Sequence, residues 1–533
     1  MNAILDTHKD IRAAIRALVF WSAALFTATP LAAAAAAAAP DTDTPTEQAA
    51  QAAPADPTPD AAAAEAPPAD APEDAMQTSA DSEPSREATD FSLPFEKYTL
   101  ESNGLEVILS QDDALPIVAV NLWYHTGPLN EPDGRTGFAH LFEHLMFQGS
   151  AHVGDDKHFK LLDSAGATGI NGTTDYDRTN YFETVPANQL PLALWLESDR
   201  MGFLRQALSQ DKLDNQRAVV MNERRQRIEN VPYGPSRERL VQTLFPEGHP
   251  YYGYVIGSME DLKAATLQDV KNFYDKYYAP ANATLAIVGD IDVQKTKELV
   301  QKYFGTLPRR QAPDTPQVDT PPIENERRVT VREPVQLPRV SMAWLSPKAY
   351  AAGDAECDVL ASLLGQGKTS RLYQKLVYDL ELAQDVAAYQ ESLELTSIFR
   401  IVVTGRPGVD PEKLEAEIDA IIAAIQSEAP SEHEVMRARN QLLTGKVNQL
   451  QKVGGFGGRA DMLNRYNHYL GEPGYLSEDI ARYERVTPNA VQERARSLLK
   501  SEARAVVITV PENPSQPSKA ASQKAPASDA QKP

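Results

Sequence analysis

The sequence predicts an α+β protein with two homologous domains, each an antiparallel-rich sheet packed with helices. The order of strand-like and helix-like segments in residues 95–306 is repeated in residues 323–510. A proline-rich stretch at 307–322 separates the repeats and is predicted to be an interdomain linker. A chain of 533 residues is long enough for two such domains, each with its own core.

The first repeat is predicted to begin with a β-hairpin. Lys97–Leu109 contains two strand-like runs around Asn103 and Gly104, a pair of residues typical of tight turns between strands. Helical patterns then predominate from Gly137 to Tyr278. The other elements predicted here are a buried strand at Pro116–Tyr124, β-like segments at Asn171–Val185, a strand at Ala283–Ile291 and a helix at Val293–Phe304.

The second repeat follows the same order of elements, with little residue identity to the first. Helical patterns lie between its strand-like segments and fill most of its length. Its predicted β segments are Arg328–Val331, Val340–Leu345, Asp385–Thr404 and a closing strand at Ala503–Val510.

The N-terminus has the features of an export signal. Basic residues precede the apolar run Ala17–Phe26, and an alanine tract at 32–39 supplies the small residues that suit cleavage. We therefore predict a signal peptide at 1–39 and a periplasmic protein. The alternative is an inner-membrane anchor facing the periplasm, since apolar residues continue for roughly the 20 positions that span a bilayer.

The net charge of −22 is concentrated near the N-terminus. Residues 41–100 contain 14 Asp and Glu residues against two Lys and Arg residues. The segment 40–94 is rich in Ala, Pro and acidic residues, and it has too few large apolar side chains to form a core, so we predict a disordered linker. The tail 511–533 is predicted to be disordered for the same reason. This acidity argues against nucleic acid as a partner.

The segment Gly137–Gln148 has the sequence GFAHLFEHLMFQ and carries the clearest chemical signal. On a helix, His140 and His144 are four residues apart and lie on one face, with Glu143 beside them. Two imidazoles and an open coordination position make most of a catalytic zinc site, and a neighbouring carboxylate can act as a general base. The pattern His-x-x-Glu-His is the inverzincin signature.

A structural interpretation of this motif would make both histidines hydrogen-bonded core residues. Three ionisable groups on an otherwise apolar helix are costly to bury without a metal, which favours the catalytic interpretation. Cys357 is the one cysteine, so a disulfide within the chain and a cysteine-rich zinc site are both excluded. A third ligand must come from elsewhere, and Glu223 is one candidate among several acids of a charged helix.

The chain resembles the pitrilysin-type metallopeptidases, which include insulin-degrading enzyme and the mitochondrial processing peptidase. The resemblance covers essentially all of 95–510. It depends on the His140–His144 motif, on NGTTDYDRTNYF from Asn171, on VVMNE ending at Glu223 and on HPYYGYVIGS from His249. It implies that His140, His144 and Glu223 bind one Zn²⁺ per chain and that Glu143 is the catalytic base.

The resemblance also implies two further features of the site. Asn171, Gly172 and Thr173 match the edge strand on which an extended peptide docks, although ordinary turn chemistry is the alternative. A second family acid normally lies seven residues before the third ligand. That position is Gln216 here, which implies a neutral outer shell around the metal ligands.

The second half departs from the family pattern. Family members carry an Arg and, seven residues later, a Tyr that approach the substrate carbonyl. The matching positions here are Val377 and Gln384. The chain therefore lacks these donors to an oxyanion, and we expect a heterodimer with a homologous subunit that carries the Arg/Tyr pair. A homodimer is the alternative.

These observations predict an exported zinc metalloendopeptidase that hydrolyses short or unfolded peptides by activating a water at the metal. The rival hypothesis is a non-catalytic scaffold or assembly subunit of the same fold, as some family members in respiratory complexes have become. The intact His140–His144 motif favours the enzyme.

Overall fold

The structure, a computed structural model, describes residues 92–512 except 315 and 317. The predicted signal peptide at 1–39, most of the predicted linker at 40–94 and the tail from residue 513 onward lie outside the described residues. Within the described part, no helix has both the length and the apolar character needed to cross a membrane.

Sheet 1 forms the core of the first half. Its strands are β1 (Glu96–Thr99), β2 (Glu106–Gln111), β3 (Ile117–Tyr124), β4 (Thr168–Thr174), β5 (Thr179–Pro186) and β6 (Ala283–Gly289). Their spatial order is β1-β2-β6-β3-β5-β4, so β4 is an edge strand. Only β2 and β6 pair in parallel among these strands. The predicted hairpin is the antiparallel pair β1 and β2.

Sheet 2 forms the core of the second half. Its strands are β7 (Arg327–Glu333), β8 (Arg339–Ser346), β9 (Ala383–Glu391), β10 (Ser397–Gly405) and β11 (Ala505–Pro511). Their spatial order is β7-β11-β8-β10-β9, and β7 and β11 are the parallel pair. Without β1, sheet 1 has the same order of first, fifth, second, fourth and third strand. The predicted duplication is therefore present in the topology, and the predicted fold class is confirmed.

Helices cover both sheets. In the first half they are α1 (Phe138–Leu145), α2 (Lys157–Ser164), α3 (Leu190–Ala207), α4 (Gln210–Arg224), α5 (Gly234–Leu244), α6 (Met259–Ala264), α7 (Leu267–Tyr277) and α8 (Val293–Tyr303). In the second half they are α9 (Asp354–Gly365), α10 (Pro411–Ser427), α11 (Glu432–Leu450), α12 (Arg459–Leu470), α13 (Leu476–Glu484) and α14 (Pro488–Leu498). The described residues also form two π-helices, Arg225–Glu229 and Tyr373–Asp379, and several short 3₁₀ helices.

Each half covers part of the other half's sheet with one helix. Val241 of α5, from the first half, packs in a hydrophobic cluster with Ala343 and Val507 of sheet 2. Leu463 of α12, from the second half, packs in a cluster with Ala286 of sheet 1. Because the opposite half helps to bury each of these apolar faces, the two halves stabilise each other.

A buried carboxylate fixes the contact of α12 with sheet 1. Asp461 Oδ1 accepts hydrogen bonds from Asn121 Nδ2 (3.2 Å), Trp123 Nε1 (3.0 Å) and Asn180 Nδ2 (2.9 Å). Its Oδ2 accepts one from the Gly457 amide (2.9 Å). One charged side chain of the second half thus satisfies three buried donors of the first half, as buried polar groups require.

The glycine-rich run 453–458 lies at this same contact. A Cβ atom at Gly454 would collide with Thr184 and Ala119 of sheet 1. The segment is therefore packed closely against the first half, where the absence of a side chain permits the contact.

Candidate metal centre

Helix α1 begins at a capped and sterically restricted N-terminus. Gly137 precedes it with φ 87°, a left-handed conformation that favours glycine. The Glu131 carboxylate accepts hydrogen bonds from the backbone amides of Gly137 (2.9 Å) and Ala139 (2.8 Å). These bonds satisfy amides that a helix N-terminus otherwise leaves without partners. On the inner side, the Phe142 ring packs on Tyr278 with centroids 4.3 Å apart.

Three potential metal ligands converge from α1 and α4. The rings of His140 and His144 lie one turn apart on α1, with centroids separated by 4.9 Å. Glu223, near the end of α4, places Oε2 3.2 Å from His144 Nε2 and Oε1 3.8 Å from His140 Nε2. The potential ligand atoms of the three residues all lie within 4.8 Å of one another.

This arrangement fits a zinc ion. Ligand atoms about 2.0–2.1 Å from a tetrahedral zinc ion are separated from each other by roughly 3.3 Å. Glu223 lies at 3.2 Å and 3.8 Å from the two imidazoles, distances that are compatible with this value. Glu223 Oε2 is buried and makes no directed hydrogen bond within the described residues. An unsatisfied buried carboxylate oxygen beside two imidazoles is the environment that a cation would complete. Two His and one Glu form a known ligand set for catalytic zinc.

The electrostatics of the cluster favour a charged glutamate. Burial opposes ionisation of Glu223, but the two histidines and Arg227 lower its pKa to about 2. Burial lowers the pKa of His140. Burial acts in the same direction on His144, but the Glu223 carboxylate outweighs it and raises the pKa of His144 overall. The ligand atoms therefore include one full negative charge.

Glu143 is buried next to strand β4. Its exposed fraction is 5%, and Thr174 Oγ1 donates a hydrogen bond to its Oε2 (2.6 Å). A Cβ atom on Gly172 would lie only 3.0 Å from Glu143 Cγ. The edge strand therefore passes directly beside the predicted base, and glycine at position 172 leaves the room that the glutamate side chain occupies.

The predicted substrate-binding residues lie on β4 but differ in their surroundings. Thr173 is tied into the first half because its carbonyl accepts a hydrogen bond from Arg178 Nη1 (2.8 Å). Asn171 is half-buried, and Gly172 borders Glu143. Sequence reasoning missed Thr174, although it lies in the same NGTTDYDRTNYF motif, because no pattern in the sequence pairs it with Glu143.

Gln216 is buried on α4, two turns before Glu223. The contact seen at the Glu223 carboxylate comes from another residue, Arg227, whose Nη1 lies 2.8 Å from Oε1. Sequence reasoning missed Arg227. The signal available in the sequence was its position four residues after Glu223, a spacing that brings side chains together on a helix.

The segment that departs from the family pattern lies on the second half. Val377 belongs to the π-helix Tyr373–Asp379, and Gln384 is an exposed residue of β9. Arg371 pairs with Glu434 (2.9 Å), and Tyr378 is 71% exposed. The salt bridge gives Arg371 a structural role in its own half.

Comparisons with known proteins identify the family of the chain. Residues 106–247 match the family model described as Insulinase (Peptidase family M16). The chain is 32% identical over 346 residues to Zinc protease PqqE of Helicobacter pylori, covering 64% of this chain and 77% of that relative. The chain belongs to peptidase family M16. Residues 264–442 match the model described as Peptidase M16 inactive domain, and that stretch has no His-x-x-Glu-His motif.

Solved M16 structures share the fold. A protease from H. pylori superposes with a TM-score of 0.73 at 27% identity, covering 78% of this chain and 100% of that chain. The periplasmic protease PqqL from Escherichia coli has a TM-score of 0.65 at 20% identity, covering 79% of this chain and 48% of that chain. The H. pylori relative is named a zinc protease, and the E. coli protein is described as periplasmic.

Proposed function

We propose that this chain is an exported zinc endopeptidase that hydrolyses short or unfolded peptides. The observation that carries the proposal is the convergence of His140, His144 and Glu223 from two helices, with Glu143 on the same helix beside them. Membership of family M16 and the zinc protease relatives support the same activity.

The chain's own residues have distinct roles in this proposal. Zinc held by His140, His144 and Glu223 would polarise the scissile carbonyl and lower the pKa of a water to about 7. Glu143 accepts the proton of the attacking water and then delivers it to the amine that leaves. Thr174 holds one oxygen of Glu143, which keeps the carboxylate oriented for both transfers.

The substrate is proposed to bind as an additional strand on β4. An edge strand offers backbone donors and acceptors to an extended peptide, and Gly172 brings that edge next to Glu143. Only a peptide that can become extended fits this mode. Asn171, Gly172 and Thr173 are the proposed contact residues, and Gln216 is the proposed neutral neighbour of the metal ligands.

A related subunit is proposed to complete the site. Val377 and Gln384 stand where family members carry Arg and Tyr, so this chain lacks those two donors for the oxyanion. A homologous partner with the Arg/Tyr pair would supply them in a heterodimer. A homodimer remains the alternative arrangement, with those donors absent from both copies.

Export, the domain limits and a second candidate function complete the proposal. We propose export by a signal peptide at 1–39, with the membrane anchor as the alternative, and the domain limits 95–306 and 323–510 around the linker 307–322. The non-catalytic scaffold is the second candidate function. The absence of an Arg and a Tyr at positions 377 and 384 favours it, whereas the complete set of ligands at the metal centre favours the enzyme.

Zinc analysis combined with Glu143→Gln tests the proposal. The purified chain is expected to hold about one zinc ion. Glu143→Gln is expected to retain the metal and lose about 10²–10⁴-fold in cleavage of an unstructured reporter peptide, because the base is removed while the ligands remain. Cleavage is measured for the chain alone and after co-purification with the proposed partner subunit.

Glu356→Gln is the matched control. It makes the same charge change on α9, at the position that corresponds to His140 when the two helices are aligned on Gly137 and Gly353. Activity should not change in this variant. A scaffold would show no cleavage under any condition, and full activity of the lone chain would exclude the need for the Arg/Tyr subunit.

A further inference from the structure

The Glu223 carboxylate lies between the two histidines of the metal centre and the guanidinium of Arg227. On one side are the two imidazoles, with Oε2 3.2 Å from His144 Nε2. On the other side, Arg227 Nη1 lies 2.8 Å from Oε1. Oε1 thus lies near Arg227 and, at 3.8 Å, His140, whereas Oε2 lies nearest His144 and makes no directed hydrogen bond within the described residues.

The backbone next to Arg227 is held in place by hydrogen bonds of the neighbouring residue Arg224. Arg227 belongs to the π-helix Arg225–Glu229, which continues α4 directly after the Glu223 turn. Arg224 fixes the junction by donating hydrogen bonds to the carbonyl of Gly257 (2.7 Å) and to Glu238 (2.7 Å). Single π turns are frequent at functional sites.

Burial of Glu223 favours a positively charged partner when no metal is bound. Glu223 is 12% exposed in its side chain and Arg227 is 28% exposed, so the carboxylate is largely removed from water while the guanidinium reaches the surface. A buried carboxylate without a partner is costly. Together with the two histidines, Arg227 supplies compensating charge, and its contact with Oε1 leaves Oε2 directed toward His144.

We infer that Arg227 is the positioning residue for the third metal ligand. By holding Oε1, it orients Glu223 for coordination through Oε2 alone, and it maintains that orientation before the metal arrives. This inference rests on the proposed function and assigns to Arg227 the role of outer partner to the ligand. Residues that hydrogen-bond to ligating carboxylates in this way typically change metal affinity by about 10–100-fold when they are removed.

Arg227 also acts on zinc affinity with the opposite sign, through charge repulsion. A guanidinium near a divalent cation repels it, so Arg227 could instead weaken metal binding. The two effects predict opposite signs for the same substitution. We expect orientation to dominate, because Arg227 contacts Oε1 at 2.8 Å, whereas His144 is nearest to the other oxygen, Oε2.

Zinc affinity, measured by competition with a chromogenic chelator, tests this inference without a peptidase assay. Arg227→Gln is expected to weaken zinc binding by about 10–100-fold, and Arg227→Lys by less, because an ammonium keeps the charge but cannot reproduce the planar guanidinium. Arg225→Gln is the matched control, since Arg225 lies on the same π-helix, carries the same charge and is exposed. Its affinity should equal that of the parent chain.

The outcomes separate this inference from the proposed function. If the parent chain binds no zinc, the proposed function fails. If the parent binds zinc and Arg227→Gln binds equally or more tightly, the positioning role is overturned and the metal centre stands. Circular dichroism of the metal-free variants checks folding. If Arg227→Gln does not fold, Arg227→Lys decides, because unchanged affinity in that variant overturns the requirement for a guanidinium.

Discussion

The two halves share one topology and differ in how they satisfy the polar groups of one helix. Helices α1 and α9 both follow a glycine in the left-handed region, Gly137 with φ 87° and Gly353 with φ 95°. Each comes after the second strand of its repeat, β3 in one half and β8 in the other. Counted from these glycines, the positions of His140, Glu143 and His144 are taken in α9 by Glu356, Val359 and Leu360.

The two aspartates of α9 are hydrogen-bonded by side chains of their own half. Asp354 accepts hydrogen bonds from Gln390 (2.8 Å), Ser392 (2.8 Å) and Arg482 (3.0 Å). Asp358 accepts one from Tyr483 (2.6 Å). In the first half, by contrast, Glu223 Oε2 has no directed hydrogen bond within the described residues. The same architecture thus supports a pair of hydrogen-bonded aspartates in one half and a potential ligand set in the other.

Separating the halves should produce the largest effect. Residues 92–306 expressed alone are expected to remain unfolded or to aggregate, because the face of sheet 1 beneath α12 would be exposed and α5 would lose sheet 2. Circular dichroism and size-exclusion chromatography measure this outcome. Co-expression with 307–512 is the control and should restore a soluble complex. A cooperative, monomeric first half would contradict the mutual dependence of the halves.

Asp461→Ala should have the next largest effect, since it leaves Asn121, Trp123 and Asn180 without their acceptor. We expect a loss of about 3 kcal/mol in the free energy of unfolding, measured by urea denaturation. In the corresponding contact of the first half with sheet 2, the Glu333 carboxylate accepts hydrogen bonds from the amide and hydroxyl of Ser236 on α5, which are fewer donors. Ser236→Ala should therefore cost only about 1 kcal/mol.

Asp113→Ala, at an exposed position of the first half, is the control and should change stability by less than about 0.5 kcal/mol. Equal losses for Asp461→Ala and Ser236→Ala would show that the two contacts between halves are energetically symmetric. A loss below about 1 kcal/mol for Asp461→Ala would remove the proposed role of its buried carboxylate.

Acidification should weaken zinc binding at the first half. A histidine must be deprotonated to bind metal, and Glu223 raises the pKa of His144 above its usual value near 6.5. Protons therefore compete with zinc as the pH falls through the raised pKa of His144, and affinity should drop about tenfold per pH unit below it. Because the pKa of His140 is lowered, protons compete with zinc for His140 only at more acidic pH.

Chelator competition between about pH 5.5 and 8 measures this effect, over the range where histidines titrate. Glu356→Gln on α9 is the comparison variant and should show the same pH dependence as the parent chain, because its charge lies in the other half. Affinity that stays constant across this range would mean that His144 is not a ligand.

Local patterns were sufficient for much of the fold and part of the site. The Asn103–Gly104 turn predicted the hairpin of β1 and β2 because two residues define such a turn. The four-residue spacing of His140 and His144 predicted neighbouring rings because both lie on one helix. Glu223 needed the family resemblance, since 79 residues separate it from His144 and no local period connects α4 to α1.

The amino-acid sequence by itself determined the inverzincin helix and the order of the strand-like and helix-like segments, because each of these is encoded in a local stretch of chain. The missing Arg/Tyr pair became visible only against the family pattern. Tertiary structure alone decided that Thr174 holds Glu143, that Arg227 contacts Glu223 and that Asp461 joins the halves. These contacts depend on which side chains pack against each other in the folded protein. That packing is determined by the whole core, so the periodicity of a single helix or strand does not predict it.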